Sequence, residues 1–130
     1  MQVLRTYARA YVSSLDEALG PLSSVTGTPP GLRFAMPNGL ELAAVGNVLI
    51  VAGDDETLAP YRLTQATLIV DDLDDCRSLL SRAGAQVLRG PQRVPTGRNL
   101  TARLPTQIEY VEWDGAQWER DGGAERPATA

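Results

Sequence analysis

The chain has 130 residues, of which 43% are apolar and 22% charged, a composition typical of one compact domain. It contains no histidine and no lysine, all 12 basic residues are arginine, and Cys76 is its one cysteine. These absences exclude a Ser-His-Asp or Cys-His relay, a Cys/His zinc site and an intramolecular disulfide. The net charge of −4, with the arginines dispersed, argues against nucleic-acid binding.

The N-terminal segment Met1 to Arg9 lacks the apolar centre of a signal peptide. No stretch approaches the roughly 18 apolar residues that indicate a membrane span. We therefore expect a cytoplasmic protein that does not enter a membrane, and a single thiol without a partner fits that compartment.

The chain begins with an alternating pattern that predicts a strand over Val3 to Val12. Ser14 is placed to cap a following helix, whose first turn carries acidic residues that favour the positive end of a helix dipole. Gly27 is expected to end that helix, and Pro29-Pro30 prevents its continuation.

Three strands are predicted next, at Leu32 to Met36, Leu40 to Val45 and Val48 to Ala52. An Asn-Gly pair at 38 and 39 supplies the hairpin turn between the first two. The acidic, proline-containing segment 53–63 then predicts a solvent-exposed crossing to the rest of the chain.

The same order of elements repeats downstream. A strand is predicted at Gln65 to Val70, and a helix over Leu73 to Ala83 with Asp72 as its cap and Gly84 as its end. Three more strands follow, near Gln86 to Arg89, Arg98 to Leu104 and Gln107 to Trp113. Residues 114–130 lose the apolar pattern and are expected to form a flexible C-terminal tail, with Trp118 able to anchor part of it.

Matching landmarks in the two halves indicate an internal duplication. The phrase from Val12 to Glu17 matches that from Val70 to Asp75 at an offset of 58 residues, and the closing strands keep an offset of 60. We therefore expect one domain over residues 1–113, made of a first module over about 1–53, a linker over 54–63 and a second module over about 64–113.

This tandem unit, with the phrase Ala66-Thr67-Leu68-Ile69-Val70-Asp71-Asp72-Leu73-Asp74 opening its second copy, resembles the vicinal oxygen chelate superfamily. That superfamily includes glyoxalase I, extradiol dioxygenases and bleomycin-resistance proteins. The resemblance, which covers Val3 to Trp113, implies a glyoxalase-like α+β fold. Two tandem βαβββ modules would form an open, curled, eight-stranded mixed sheet around a cavity. It also implies a homodimer.

Metal enzymes of the superfamily place ligands on the first and last strands of each module. By motif, the resemblance assigns these positions to Tyr7, Leu49, Gln65 and Glu109. Only Glu109 is a strong ligand, whereas a divalent metal needs about three. The sequence therefore predicts that the protein holds no metal and no cofactor.

Strand alternation extends these positions into a predicted cavity face. The candidate residues on it are Tyr7, Arg9, Tyr11, Leu49, Val51, Gln65, Thr67, Ile69, Gln107, Glu109, Val111 and Trp113, with Asn99 near the cavity mouth. Such a mixture of apolar and aromatic walls with a few polar groups is typical of a small-molecule site.

Two readings apply to the central polar residues. Glu109 could act as a general base or acid in an apolar pocket, or could pair with Arg9 and so be a poor base. Arg9 itself could meet an anionic or carbonyl group of a ligand, or lie exposed at a strand edge. The aromatic residues Tyr7, Tyr11 and Trp113 could stack on a planar ligand or merely fill volume, and Cys76 is expected to pack in the core.

The function favoured by these features is a metal-independent small-molecule-binding protein, for example one that sequesters an antibiotic or other secondary metabolite. The alternative is a metal-independent isomerase, cyclase or lyase that uses Glu109 as base, with Arg9, Tyr7 or Gln65 steadying an oxyanion. A third possibility is a structural or regulatory dimer whose cavity is plugged by its own side chains.

Overall fold

A computed structural model describes residues 1–115, which form one eight-stranded mixed sheet with helices on its outer face. The elements are β1 (Val3–Val12), α1 (Leu15–Thr26), β2 (Pro30–Ala35), β3 (Glu41–Val45), β4 (Val48–Ala52), α2 (Asp55–Leu58), a 3₁₀ turn (Ala59–Tyr61), β5 (Thr64–Val70), α3 (Leu73–Arg82), β6 (Gln86–Val94), β7 (Gly97–Arg103) and β8 (Gln107–Trp113).

The strand order is β2-β3-β4-β1-β5-β8-β7-β6, which is symmetric about the β1–β5 pair. In each half the opening strand lies parallel to the closing strand, β1 with β4 and β5 with β8, while β1 and β5 run antiparallel. Helix α1 packs on β3 and β4, and α3 packs on β6, β7 and β8. The α+β, glyoxalase-like fold predicted from the sequence is confirmed.

The predicted helix boundaries are present. The Ser14 hydroxyl accepts a hydrogen bond from the Glu17 backbone N–H, and the Asp72 carboxylate accepts one from Asp75. Gly27 ends α1 in the left-handed conformation with φ of 67°, which glycine adopts without a steric penalty. Local capping therefore sets both long helices in the same place relative to their strands.

Three apolar clusters stabilise the fold. Two lie between the sheet and the helices, and the second of these contains Cys76, only 1% exposed, between Leu73 and Leu80. Burial raises the pKa of the Cys76 thiol to about 11, as expected for a packing residue. The third cluster covers the inner face of the sheet and includes Tyr7 and Trp113.

The structure corrects two expectations about chain segments. The crossing at 53–63 is not a simple exposed loop, because it folds into α2 and the 3₁₀ turn and buries Leu58 to 1% exposure. Asp54 caps α2 by accepting from the Thr57 N–H. Strand β6 continues to Val94, five residues beyond its predicted end at Arg89.

At the C-terminal end, the backbone N–H of Asp114 donates to the carbonyl of Thr96. The rest of the predicted tail, including Trp118, lies outside the described residues. Among residues 1–115, no helix has the length and apolar character that crossing a bilayer requires.

Candidate functional site

The inner face of the sheet encloses a cavity that reaches from edge strand β2 to edge strand β6. The volume of this cavity that is open to the centres of water molecules is about 70 Å³. This space is more than a single water requires, so the cavity can hold a small molecule or one group of a larger one.

One side of the cavity is apolar and comes from the first half of the chain. Leu49 and Val51 of β4 face it and are 3% and 0% exposed. The remaining apolar residues of this wall are Leu32, Phe34, Met36, Leu40 and Leu42. These side chains can enclose an alkyl or aryl group but offer it no hydrogen bond.

The opposite side is polar and centres on Glu109. Its Oε1 accepts a hydrogen bond from the Thr67 hydroxyl at 2.9 Å, and its Oε2 accepts one from the Asn99 side-chain amide at 2.6 Å. Arg9 Nη1 lies 3.6 Å from Oε1, so the ion pair considered from the sequence is present. The carboxylate is thus held by two donors and one cation rather than left unpartnered in an apolar pocket.

Arg9 is buried, with 5% of its side chain exposed, and this contradicts the strand-edge reading. Its guanidinium lies over the Tyr11 ring, 5.3 Å from the ring centroid. Within residues 1–115 none of its N–H groups donates a hydrogen bond, and Nε is closed off from solvent without a partner. Asn99 Oδ1 is a second buried atom without a partner among these residues. The two unsatisfied atoms belong to side chains that line the cavity.

Tyr11 supports the site from behind and does not line the cavity, which corrects its predicted role. Its hydroxyl contacts the carbonyl oxygens of Tyr61 and Thr64, the latter at 2.6 Å. Burial raises the pKa of the Tyr11 phenol. The Tyr11 ring, which lies against the Arg9 guanidinium, is therefore held by its hydroxyl to both the connecting segment 53–63 and β5.

Gln65 and Gln107 were also predicted to line the cavity, and neither does. The pairing of β5 with β8 passes from Thr64–Gln107 to Ala66–Ile108, so Gln65 is an extra residue in a bulge and is exposed. Thr64 is buried instead, and its hydroxyl accepts from the Gln107 amide at 2.9 Å. The bulge shifts the alternation by one residue, which moved the sequence prediction to the wrong face.

Two of the three predicted aromatic residues, Tyr7 and Trp113, lie together. Their rings are 6.5 Å apart and each residue is 2% exposed. Arg5 Nη1 donates to the Tyr7 hydroxyl at 3.2 Å, and its guanidinium lies 5.5 Å from the Trp113 ring centroid. Both aromatic residues line the cavity. The other predicted residues, Thr67, Ile69, Asn99, Glu109 and Val111, line the cavity as expected.

Sequence reasoning missed several wall residues. The missed polar and aromatic ones are Phe34, Tyr61, Arg89, Gln92 and Thr96. Thr101 lies two residues from Asn99 on the same strand, shares its face and lines the cavity as well. Arg89 lies over the Tyr61 ring at 4.9 Å and donates to the Pro60 carbonyl at 3.4 Å. It is the last residue of the predicted part of β6, and Gln92 lies in the extension that was not predicted.

The residues at the superfamily's ligand positions do not fit a divalent metal. Leu49 has no donor atom, Gln65 lies outside the cavity, and the Tyr7 hydroxyl accepts from Arg5. No group of three His, Cys, Asp or Glu side chains suited to a metal occurs in residues 1–115. Glu109 already has the Arg9 cation beside it, and a second cation there would be repelled.

Comparison with known proteins supports the fold. An uncharacterized protein from Methanosarcina mazei has 44% sequence identity, covers 88% of this chain and 95% of its own, and superposes with a TM-score of 0.83. Methylmalonyl-CoA epimerase from Streptomyces coelicolor, in complex with 2-nitronate-propionyl-CoA, is 16% identical over 88% of this chain and 97% of its own, with a TM-score of 0.69. The Mycobacterium tuberculosis methylmalonyl-CoA epimerase is 19% identical over 90% and 93% of the two chains, with a TM-score of 0.66. No protein-family model and no curated protein sequence matches.

Proposed function

Since the chain belongs to the same family as the Methanosarcina mazei protein and has the vicinal oxygen chelate fold, we propose that its cavity binds a small organic molecule without a metal. The observation that carries this proposal is the pairing of an apolar wall with a polar side on which, within residues 1–115, no N–H group of Arg9 donates a hydrogen bond. A buried guanidinium without acceptors is costly, and a ligand that accepts hydrogen bonds from its terminal nitrogens gains that free energy on binding.

The size of the cavity limits the ligand. A space of about 70 Å³ accepts a small molecule, or one small group of a larger one. Sequestration of an antibiotic or other secondary metabolite is the finer form of this proposal. In that case one group of the metabolite enters the cavity and the rest lies against the mouth between β2 and β6.

Ligand-induced thermal stabilisation with a panel of small metabolites tests binding. We expect at least one member to raise the melting temperature, and Val51→Phe, which adds a ring inside the cavity, to abolish the effect. Val48→Phe is the matched control, because it is the same change on the same strand but outside the cavity. The absence of stabilisation by any member of a broad panel, and of a copurifying small molecule in native mass spectrometry, would instead favour a structural dimer with a plugged cavity.

A second candidate is a metal-independent isomerase, cyclase or lyase with Glu109 as base. It is favoured by one observation, that this carboxylate lines the cavity beside an arginine able to stabilise a developing oxyanion. Loss of a general base lowers turnover by about 10²-fold or more, so Glu109→Gln should abolish any turnover while keeping the fold. In a pure binding protein the same variant has no turnover to lose, and we expect it to retain ligand-induced stabilisation.

We also propose a homodimer and a cytoplasmic location, both on the basis of the superfamily resemblance and the sequence composition. Sedimentation equilibrium of the full chain tests the first, and fractionation of native cells tests the second.

A further inference from the structure

We propose that the cavity selects a small carboxylate anion, with the Arg9 guanidinium receiving the carboxylate. This inference rests on the proposed function and names the chemical class of its ligand. It follows from how Arg9 is held, which charges line the cavity and which atoms the fold leaves unsatisfied.

Arg9 is fixed in position without using its hydrogen-bond donors. The Tyr11 ring lies beneath the guanidinium at 5.3 Å, and Glu109 lies beside it at 3.6 Å, beyond hydrogen-bond distance. A guanidinium has five N–H groups arranged to meet the two oxygens of a carboxylate, and within residues 1–115 no acceptor is bonded to any of them. The side chain is therefore pre-organised for an acceptor that residues 1–115 do not supply.

The charges on the cavity wall favour an anion. Within residues 1–115, two arginines, Arg9 and Arg89, and one carboxylate, Glu109, are the charged side chains that line it. These side chains give the wall one excess positive charge, although the whole chain has a net charge of −4. Such an excess attracts a ligand with one negative charge.

The neighbouring polar side chains hold Glu109 and leave the Arg9 guanidinium to the ligand. The Asn99 amide and the Thr67 hydroxyl both donate to Glu109. Asn99 Oδ1 is closed off from the cavity, so it places no requirement on the ligand. The apolar wall then accommodates a short alkyl group next to the carboxylate.

Two probes of similar size and shape test this requirement in calorimetric titrations of the full chain. Lactate has the carboxylate, and lactamide has nearly the same shape without the charge. We expect lactate to bind about tenfold more tightly than lactamide, the ratio that corresponds to one charge-assisted hydrogen bond. Lactamide binding as tightly as lactate would overturn the proposal for an acid.

Variants locate the effect at Arg9. Arg9→Gln alone leaves Glu109 without a cation, so the charge-balanced pair Arg9→Gln with Glu109→Gln is the informative variant. It should unfold cooperatively and lose the preference for lactate over lactamide, while Arg33→Gln, the same change at an exposed arginine, keeps it. A preference that survives in the double variant would overturn the assignment.

Failure of this inference is distinguishable from failure of the proposed function. If neutral molecules bind in the cavity, the Val51→Phe substitution abolishes their binding and acids do not bind, then the proposed ligand class is wrong and the proposed binding function stands. If neither acids nor any neutral molecule binds, both are wrong.

Discussion

The two halves of the cavity wall have the same architecture and opposite chemistry. Leu49 on β4 and Glu109 on β8 occupy corresponding positions on the closing strands, as do Arg9 on β1 and Thr67 on β5 on the opening strands. The first half contributes Arg9 and otherwise an apolar surface, whereas the second half contributes the groups that hydrogen-bond to Glu109. The two halves therefore share the same arrangement of strands, while the cavity-facing side chains are mostly apolar in the first half and polar around Glu109 in the second.

The largest expected effect comes from a substitution that gives the first half a carboxylate at the position that corresponds to Glu109. Leu49→Glu places a second carboxylate in the cavity, where Leu49 is 3% exposed and its strand neighbour Arg9 already faces Glu109. We expect it to lower the free energy of unfolding by about 3–5 kcal/mol, because one guanidinium then faces two buried carboxylates and one negative charge is left uncompensated. Urea denaturation measures the loss.

Val25→Glu is the control for this substitution, since Val25 is 84% exposed and the change should cost less than about 0.5 kcal/mol. A Leu49→Glu protein as stable as the wild type would show that the apolar wall is open to water and that the contrast between the halves is unsound.

A smaller effect distinguishes the two residues at the β5 bulge. Thr64→Val removes the acceptor of the buried Gln107 amide and should cost about 1–3 kcal/mol. Gln65→Ala, one residue along, should change stability by less than about 0.5 kcal/mol because Gln65 is exposed. Thermal and urea unfolding of the two variants side by side check this, and the reverse order of effects would restore Gln65 to the inner face.

The smallest effect concerns pH and belongs to the helix side of the second half. Burial raises the pKa of Cys76 to about 11 in the folded protein, above its ordinary value of 9.0, so the folded state keeps the thiol proton to higher pH than the unfolded state does. Its contribution to stability is complete below pH 9 and is lost as the pH rises toward 11. At pH 10 the loss is on the order of 1 kcal/mol.

Urea unfolding across this pH range, compared between the wild type and Cys76→Ala, isolates that contribution. The wild type should lose more stability than the variant between pH 9 and 11. Parallel curves would show that the thiol ionises equally in both states.

The repeat made the fold predictable, because helix caps and strand boundaries recur at a nearly constant offset and each depends on local chemistry. Ser14, Asp72 and Gly27 act through their own backbone neighbours, so the sequence around each is sufficient to place it. The polar residues that line the cavity around Glu109 were predicted from strand alternation, which holds wherever a strand is regular.

The errors lie where pairing between strands overrides local pattern. The bulge at Gln65 depends on the register of β5 against β8, which no local signal specifies. Strand β6 was predicted to end at Arg89 but continues through Gly90-Pro91, because it is an edge strand, where a proline without an N–H is tolerated. The fold of the 53–63 segment depends on a buried site for Leu58 that only the assembled sheet provides.

The Tyr11 hydroxyl joins two carbonyls that belong to different parts of the chain, one in the connecting segment and one at the start of β5. In a duplicated protein the segment that connects the two copies is commonly the easiest place to insert residues or to introduce new termini. Here extra residues after Tyr61 would draw those two oxygens apart and release the ring under Arg9. New termini or a grafted loop belong instead at the exposed turn around Pro105, whose residues do not line the cavity.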